Sequence, residues 1–175
     1  MVAARNADQQ NKGHTNLCPA LHKQGGANVV KLNIASMGMS IAGYTNVDDV
    51  IYPLGYKQVD EIRASHILEH YSTRESVSVL ANWVDCLRFG GVLKIAVPDF
   101  DNIVLRKRIG EDLPYEEYIM GGQVDDRDFH KSIWTYPKLH YMMSYLGLTD
   151  IKTWQSEISD CASLNISLNL RGVRT

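Results

Sequence analysis

The sequence predicts one α/β domain built on a mostly parallel sheet, and three observations carry that prediction. Short apolar runs rich in β-branched residues, VVKLNIAS (Val29 to Ser36), VDEIRAS (Val59 to Ser65) and VLKIAVPDF (Val92 to Phe100), read as buried strands. Between the last two lies a segment with helical periodicity, so strand, helix and strand follow one another as in a parallel βαβ unit. Near the C-terminus a further helix pattern precedes two more strand-like stretches, the second alternating cleanly.

Each element has a local reason. After the first strand, MGMSIAGY is too short and too glycine-rich for a long helix, and TNVDDVIY reads as a second brief extended stretch. STRE (Ser72 to Glu75) has the form of a capping box, in which hydroxyl and carboxylate satisfy orphan backbone donors, so a helix is expected to begin there. Val77, Leu80, Ala81, Val84 and Leu87 recur at helical spacing behind it, and Gly90 and Gly91 supply a stop. Pro98 is expected to end the next strand because proline cannot donate to a sheet ladder. A helix carrying Ile103, Val104 and Leu105 follows. Thr135 can cap a helix with Leu139, Met142, Met143 and Leu146 on one face, which Gly147 can end; that stripe is read as core. DIKTWQ (Asp150 to Gln155) and LNISLNLRGVR (Leu164 to Arg174) complete the strands. A parallel sheet is expected to be covered on both faces.

The 175 residues, 45% hydrophobic and 22% charged, suit a single core. Residues 1–28 read as a polar, mobile leader without the apolar core of a signal peptide, and 29–175 as one domain without internal repeats. No run approaches the roughly 20 apolar residues of a membrane span. A formal charge of -2 and a pI near 6.3 give no positive field to attract nucleic acid or an anionic membrane. Cys18, Cys86 and Cys161 are scattered and odd in number, which argues against a disulfide framework and for a cytoplasmic location.

HILEH (His66 to His70) matches H-x-x-E-H, a spacing used by one group of zinc peptidases. That reading needs both histidines on one helical face with the glutamate as general base. A cap at Ser72 places HILEH before the helix, on a strand-to-helix connection, and no downstream acidic residue stands out as a third ligand, so no metal is expected. His14, Cys18 and His22 fall at i, i+4 and i+8, but the surrounding Asn, Gln, Gly and Thr disfavour the helix that would align them.

VDEIRASHILEHYSTRESVSVLANWVDCLRFGGVLKIAVPDF, through its D-E-I, H-I-L-E-H, L-R-F-G-G and V-P-D elements, resembles the segment of class I S-adenosylmethionine-dependent methyltransferases from fourth to fifth strand. KLNIASMGMSIAGYTNVD looks like the first strand, cofactor loop and second strand of that family, and GGQVDDRDFHKSIWT resembles a region of a predicted branch of it. The resemblance covers about Val29 to Arg174. It implies a three-layer, Rossmann-like methyltransferase fold whose mostly parallel sheet ends in an antiparallel hairpin, here with a shortened N-terminal half. It further implies S-adenosylmethionine as cofactor, S-adenosylhomocysteine as product, and methyl transfer to a small-molecule or saccharide-like acceptor. A non-catalytic ligand-binding descendant of such an enzyme is the alternative.

On this resemblance Ala35, Met37 and Gly38 stand in the cofactor loop, and Asp48 resembles the acidic residue that accepts from the ribose hydroxyls. Asp48 also suits a turn or cap. Ser65 and His66 resemble positions lining the sulfonium side, with a structural histidine the other use for His66. Asp99 faces the same rim and is a catalytic candidate beside His130, but it equally suits a helix cap. His130, in DFHKS, is the preferred base or acceptor-binding residue because histidine titrates near neutral pH, and it otherwise reads as a loop histidine. Glu69 and His70 are read as framework, and Arg106 to Arg108 as a solvated helix face that could also meet an acidic substrate. The family normally has G-x-G directly after the first strand, where backbone must approach the ligand. Ala35 and Met37 depart from it. Asp48 to Val59 also leaves no crossover helix of ordinary length.

Overall fold

The computed structural model describes residues 29–34, 38–47 and 53–175. Ala35, Met37 and Asp48 lie outside these, as do the leader with His14, Cys18 and His22 and residues 48–52 after the second strand.

Six strands form one sheet: β1 (Lys31–Ile34), β2 (Thr45–Val47), β3 (Val59–Ser65), β4 (Leu87–Pro98), β5 (Leu148–Thr153) and β6 (Ser167–Arg174). Their spatial order is β2-β1-β3-β4-β6-β5. The first four are parallel, whereas β6 pairs antiparallel with both β4 and β5. The chain runs outward from β1 to β2 and then returns to β3 on the other side, so the topological switch point lies between β1 and β3. Among the described residues no helix is long and apolar enough to cross a membrane.

Helix α1 (Thr73–Cys86) begins as expected: the Ser72 hydroxyl accepts from Glu75 N, and the Glu75 carboxylate accepts from Ser72 N. Its buried face is rotated from the expected one. Leu80 and Val84 are inside, but Val77 is 37% exposed, and Val79, Trp83 and Cys86 complete the face. Ser76 hides the true phase, because its hydroxyl is fully buried and donates to Ser72 O.

Gly90 and Gly91 do not end this helix. It stops at Cys86, and Leu87 already pairs with Val59 in β4. The glycines instead form an irregularity in the strand. Gly90 has φ +77°, and a Cβ on Gly91 would stand 2.8 Å from Val59 O. The orphan carbonyls at the end of α1 are met from far away, since Arg174 Nη1 donates to Val84 O and Asp85 O at 2.9 and 3.1 Å.

Helix α2 (Phe100–Arg108) buries only Ile103, with Leu105 57% exposed. Its basic end is solvated, Arg106 pairing with Glu111 at 2.7 Å. A short helix α3 (Tyr115–Met120) follows, then α4 (Tyr136–Tyr145), capped by Thr135, burying Leu139 and Met143 and followed by Gly147 at φ +84°. Strand β5 starts two residues before the expected DIKTWQ and ends before Trp154, while β6 starts three residues into LNISLNLRGVR. Cys86 and Cys161 are free thiols.

Register separates the two sheet faces. Leu32, Ile62 and Leu93 align, as do Ile34, Ala64, Ile95 and Leu170, and these apolar rows join the core with side chains of α1 and α4. The intervening row, Asn33, Arg63, Lys94 and Arg171, points to the opposite face because successive strand residues alternate. The cover over that polar row includes the connection after β5, from which Trp154 Nε1 donates to Ile95 O at 3.2 Å.

Ser72→Ala removes a cap whose two reciprocal bonds are both formed, and is expected to lower the unfolding free energy by about 1 kcal/mol in urea denaturation. A loss below a few tenths of a kcal/mol would show that packing alone starts α1.

Candidate functional site

The C-terminal ends of β1 and β3 meet at the switch point, where open α/β sheets bind ligands. Gly38, in the loop leaving β1, has φ +79°, and among the described residues nothing lies within 4 Å of where a Cβ would project. The loop is held by Asn46, whose Oδ1 accepts from Asn33 Nδ2 at 3.1 Å and from Ile41 N at 3.0 Å. Asn33, 3% exposed, also accepts from Arg63 Nη1 at 3.3 Å.

Arg63 is itself buried and pairs with Asp160 from the β5–β6 connection. Asp160 also accepts from Ser65 Oγ at 2.9 Å and from Ser156 Oγ at 2.8 Å. Burial pushes the Asp160 carboxyl up, but the hydrogen bonds from Arg63, Ser156 and Ser65 outweigh it and hold the group below its ordinary range. A continuous polar chain therefore runs from Asn46 through Asn33 and Arg63 to Asp160 and Ser65, directly across the switch point.

Past Ser65 the chain turns sharply. His66 adopts φ +52°, rare for a residue with a side chain, while its N–H donates to Ala96 O at 2.8 Å. A 3₁₀ turn, Leu68–His70, follows. HILEH thus occupies a strand end and a 3₁₀ turn, and the helix on which the peptidase motif depends is not formed there. His66 Nε2 lies 2.9 Å from Ser167 Oγ. Its Nδ1 is 3.4 Å from Glu69 Oε1. This is not a charged pair at neutral pH. Burial, with His130 nearby, pushes His66 down to about 4, and burial pushes Glu69 up to about 8.

The DFHKS segment reaches this turn. Lys131 N and Ser132 N donate to Glu69 O at 2.7 and 3.1 Å, and His130 stacks edge-on against His70 with ring centroids 4.8 Å apart. Gly121 permits the approach. It has φ +84°, and a Cβ there would lie 1.8 Å from Asp128 O and 3.0 Å from His130 N. Burial, then His70, lowers the pKa of His130, so the imidazole is neutral at pH 7. Asp99 is nearby through a bridge to Trp134, but its carboxylate caps α2 by accepting from Asn102 N at 3.3 Å.

Of the residues singled out from sequence, Ser65, His66 and His130 belong to one neighbourhood, Gly38 faces the same rim from β1, and Asp99 serves its cap. Sequence reasoning missed Asn33, Arg63, Asp160 and Asn46. The available signal was Arg63 itself, which falls inside VDEIRAS on the alternation of Glu61 and Ser65 and so demands a counter-charge from elsewhere.

These features define the class I S-adenosylmethionine-dependent methyltransferase fold. Solved structures agree. One neighbour is a SAM-dependent methyltransferase from Archaeoglobus fulgidus, with TM-score 0.54, 12% identity, and 85% of this chain and 87% of that one covered. Another is 1,6-didemethyltoxoflavin-N1-methyltransferase from Burkholderia thailandensis, with TM-score 0.52, 14% identity and coverages of 85% and 72%. An O-methyltransferase family protein from Burkholderia thailandensis aligns with TM-score 0.54 and 12% identity over 84% of this chain but only 51% of its own. The chain therefore spans about half the length of some of these neighbours. No protein-family model and no curated protein sequence matches it.

Because the folded Asp160 binds its proton less readily than the unfolded one, the unfolded state holds more protons as pH falls. The stability from this group is present above its unfolded pKa, about 3.9, and is lost as pH falls through the lower folded value. Asp160→Ala leaves Arg63 buried without its counter-charge and is expected to cost about 3–5 kcal/mol at neutral pH. It should also flatten the acid limb of a urea-midpoint-against-pH profile. An unchanged limb would mean that other carboxylates govern acid unfolding.

Proposed function

We propose that the chain is an S-adenosylmethionine-dependent methyltransferase acting on a small-molecule or saccharide-like acceptor. The observation that supports this reading is the strand order of a methyltransferase fold, in which β1, followed by Gly38, and β3, followed by His66, are neighbours at the switch point, while His130 packs on His70 of the turn after β3.

The rim suits the cofactor. The left-handed backbone at Gly38, with no described residue against a Cβ there, supports a close approach of backbone to a ligand, as a loop after the first strand must make. We assign Ala35, Met37 and Gly38 to the loop side, Asp48 to the ribose hydroxyls, and Ser65 and His66 to the sulfonium side. When bound, S-adenosylmethionine supplies an electrophilic methyl group and S-adenosylhomocysteine remains.

The rest of the catalysis falls to this chain. An in-line displacement needs the acceptor held close and aligned, and proton removal if the acceptor carries one. The left-handed backbone at His66 fixes where its ring stands on the rim. His130 is the acceptor-side group. As a neutral imidazole it has a lone pair to offer either to the acceptor's proton or to a partner that binds the acceptor. Asp99, the other catalytic candidate, caps α2 through Asn102 N, which leaves His130 as the acceptor-side group.

Ala35 and Met37, in place of the family's glycines, favour a second reading, a ligand-binding domain without turnover. Titration with S-adenosylhomocysteine separates the two steps. Saturable micromolar binding, weakened tenfold or more by Asp48→Ala (roughly 1.4 kcal/mol), is expected. Absence of binding at millimolar ligand would overturn the cofactor assignment. Labelled methyl transfer to acceptors from cell extract then distinguishes an enzyme from a binding domain.

A further inference from the structure

Among the described residues Glu69 is the most anomalous side chain. It is 1% exposed, and neither carboxylate oxygen has a hydrogen-bond partner among the described residues. A buried carboxyl left so is costly and calls for an explanation. His70 Nδ1 beside it is likewise buried and unpartnered. One ligand atom each from Glu69, His70 and His130 lies within 4.8 Å of the others. The three come from two segments, the 3₁₀ turn and the DFHKS strand of chain, so their convergence is tertiary and not a consequence of local spacing.

We infer that Glu69, His70 and His130 bind a divalent first-row transition metal of the zinc class. Two imidazoles and one carboxylate are a ligand set such ions take, with a position left for water or another ligand. Ligand atoms at about 2.0–2.2 Å around a tetrahedral ion lie roughly 3.4 Å apart, so the groups close by about an ångström on binding. The surroundings are those of a metal site. The two rings hold one another edge-on, with centroids 4.8 Å apart, and the backbone on either side of His130 is pinned by His130 N donating to Met120 O and Lys131 N to Glu69 O. His66 Nδ1 stands 3.4 Å from the carboxylate on its far side.

The assignment differs from the zinc peptidase motif, which pairs His66 with His70 on a helix. Here His66 is displaced to a supporting role and His130 replaces it. It also revises the sequence-based expectation that no metal binds. The inference does not rest on the methyltransferase reading. A metal there would take the lone pair of His130, and it would pin residues 121–132 to the end of β3.

The test uses the full chain, stripped with a chelator and dialysed, titrated with Zn²⁺ and separately with Co²⁺. One equivalent of tightly held Zn²⁺ and a visible Co²⁺ spectrum are expected, together with a rise in melting temperature on adding Zn²⁺. Glu69→Gln, which keeps the volume, and His130→Asn, at a partly exposed position, should each weaken binding at least tenfold and abolish the thermal shift. Should Glu69→Gln not fold, His130→Asn decides alone. His14, Cys18 and His22 remain in both variants, so undiminished zinc binding by either folded variant would place the metal in the leader and overturn the inference. Failure of the wild-type chain to retain zinc would do the same. Titration with S-adenosylhomocysteine reads the cofactor site separately.

Discussion

The buried pair between Arg63 and Asp160 is the constraint on which the site side of this molecule depends. Arg63 lies in the middle of the sheet, 5% exposed, where a guanidinium without a counter-charge costs several kcal/mol. Its partner comes from the connection between β5 and β6, residues 97 positions away. That connection is therefore not free to choose its path. Trp154 lies over the same row, its ring 5.5 Å from the Arg63 guanidinium and 5.8 Å from Lys94 Nζ, and its indole N–H is fixed on Ile95 O. The charge of one strand residue thus routes a long loop to the rim, where Asp160 reaches Ser65 and joins the end of β3 to the chain that later forms β6. One face of the sheet can then be apolar and packed by α1 and α4, while the other carries the polar row of Asn33, Arg63, Lys94 and Arg171.

Much of the fold was legible because it rests on local signals. The capping box at Ser72, the proline that ends β4, the Thr135 cap and the strand VDEIRAS are each written in a few adjacent residues, and all appear in the structure. Readings failed where a distant group replaced the local one. The end of α1 looked like a glycine stop, yet its carbonyls are satisfied by Arg174, and the glycines serve a bulge against Val59. The buried face of α1 was misphased because a serine with an internal partner counts as core, which a hydrophobic pattern cannot register. At the site, Ser65, His66 and His130 carried recognisable surroundings. Asn33, Asn46 and Asp160 have no local signature at all, since their meaning lies in what they touch.

HILEH illustrates why spacing underdetermines chemistry. Histidines four apart converge only if the backbone between them is helical. Here His66 is forced to a left-handed conformation to leave β3, and only Leu68, Glu69 and His70 make a turn of 3₁₀ helix. The first histidine consequently faces Ser167 and the second faces His130. Glu69 is left between them, buried, with its backbone carbonyl engaged by Lys131 and Ser132 and its carboxylate unengaged.

The shortened N-terminal half changes what holds the loop after β1 in place. In a doubly wound sheet the first crossover helix packs on the strands and presents its N-terminal amides and dipole to the ligand. Residues 38–44 here form no helix, and the strands beside them carry Asn33 and Arg63 on the face such a helix would cover. Apolar side chains there would have been exposed for want of a cover; polar ones can bond each other instead. Asn46 binds both Asn33 and the backbone of Ile41, and Asn33 also accepts from Arg63, so the loop is tethered by amide side chains to the same network that recruits Asp160. Loop position, sheet face and β5–β6 connection are therefore one cooperative polar unit. Shortening the crossover and placing an arginine inside β3 are two parts of one solution, because the network that Arg63 requires also fastens the loop.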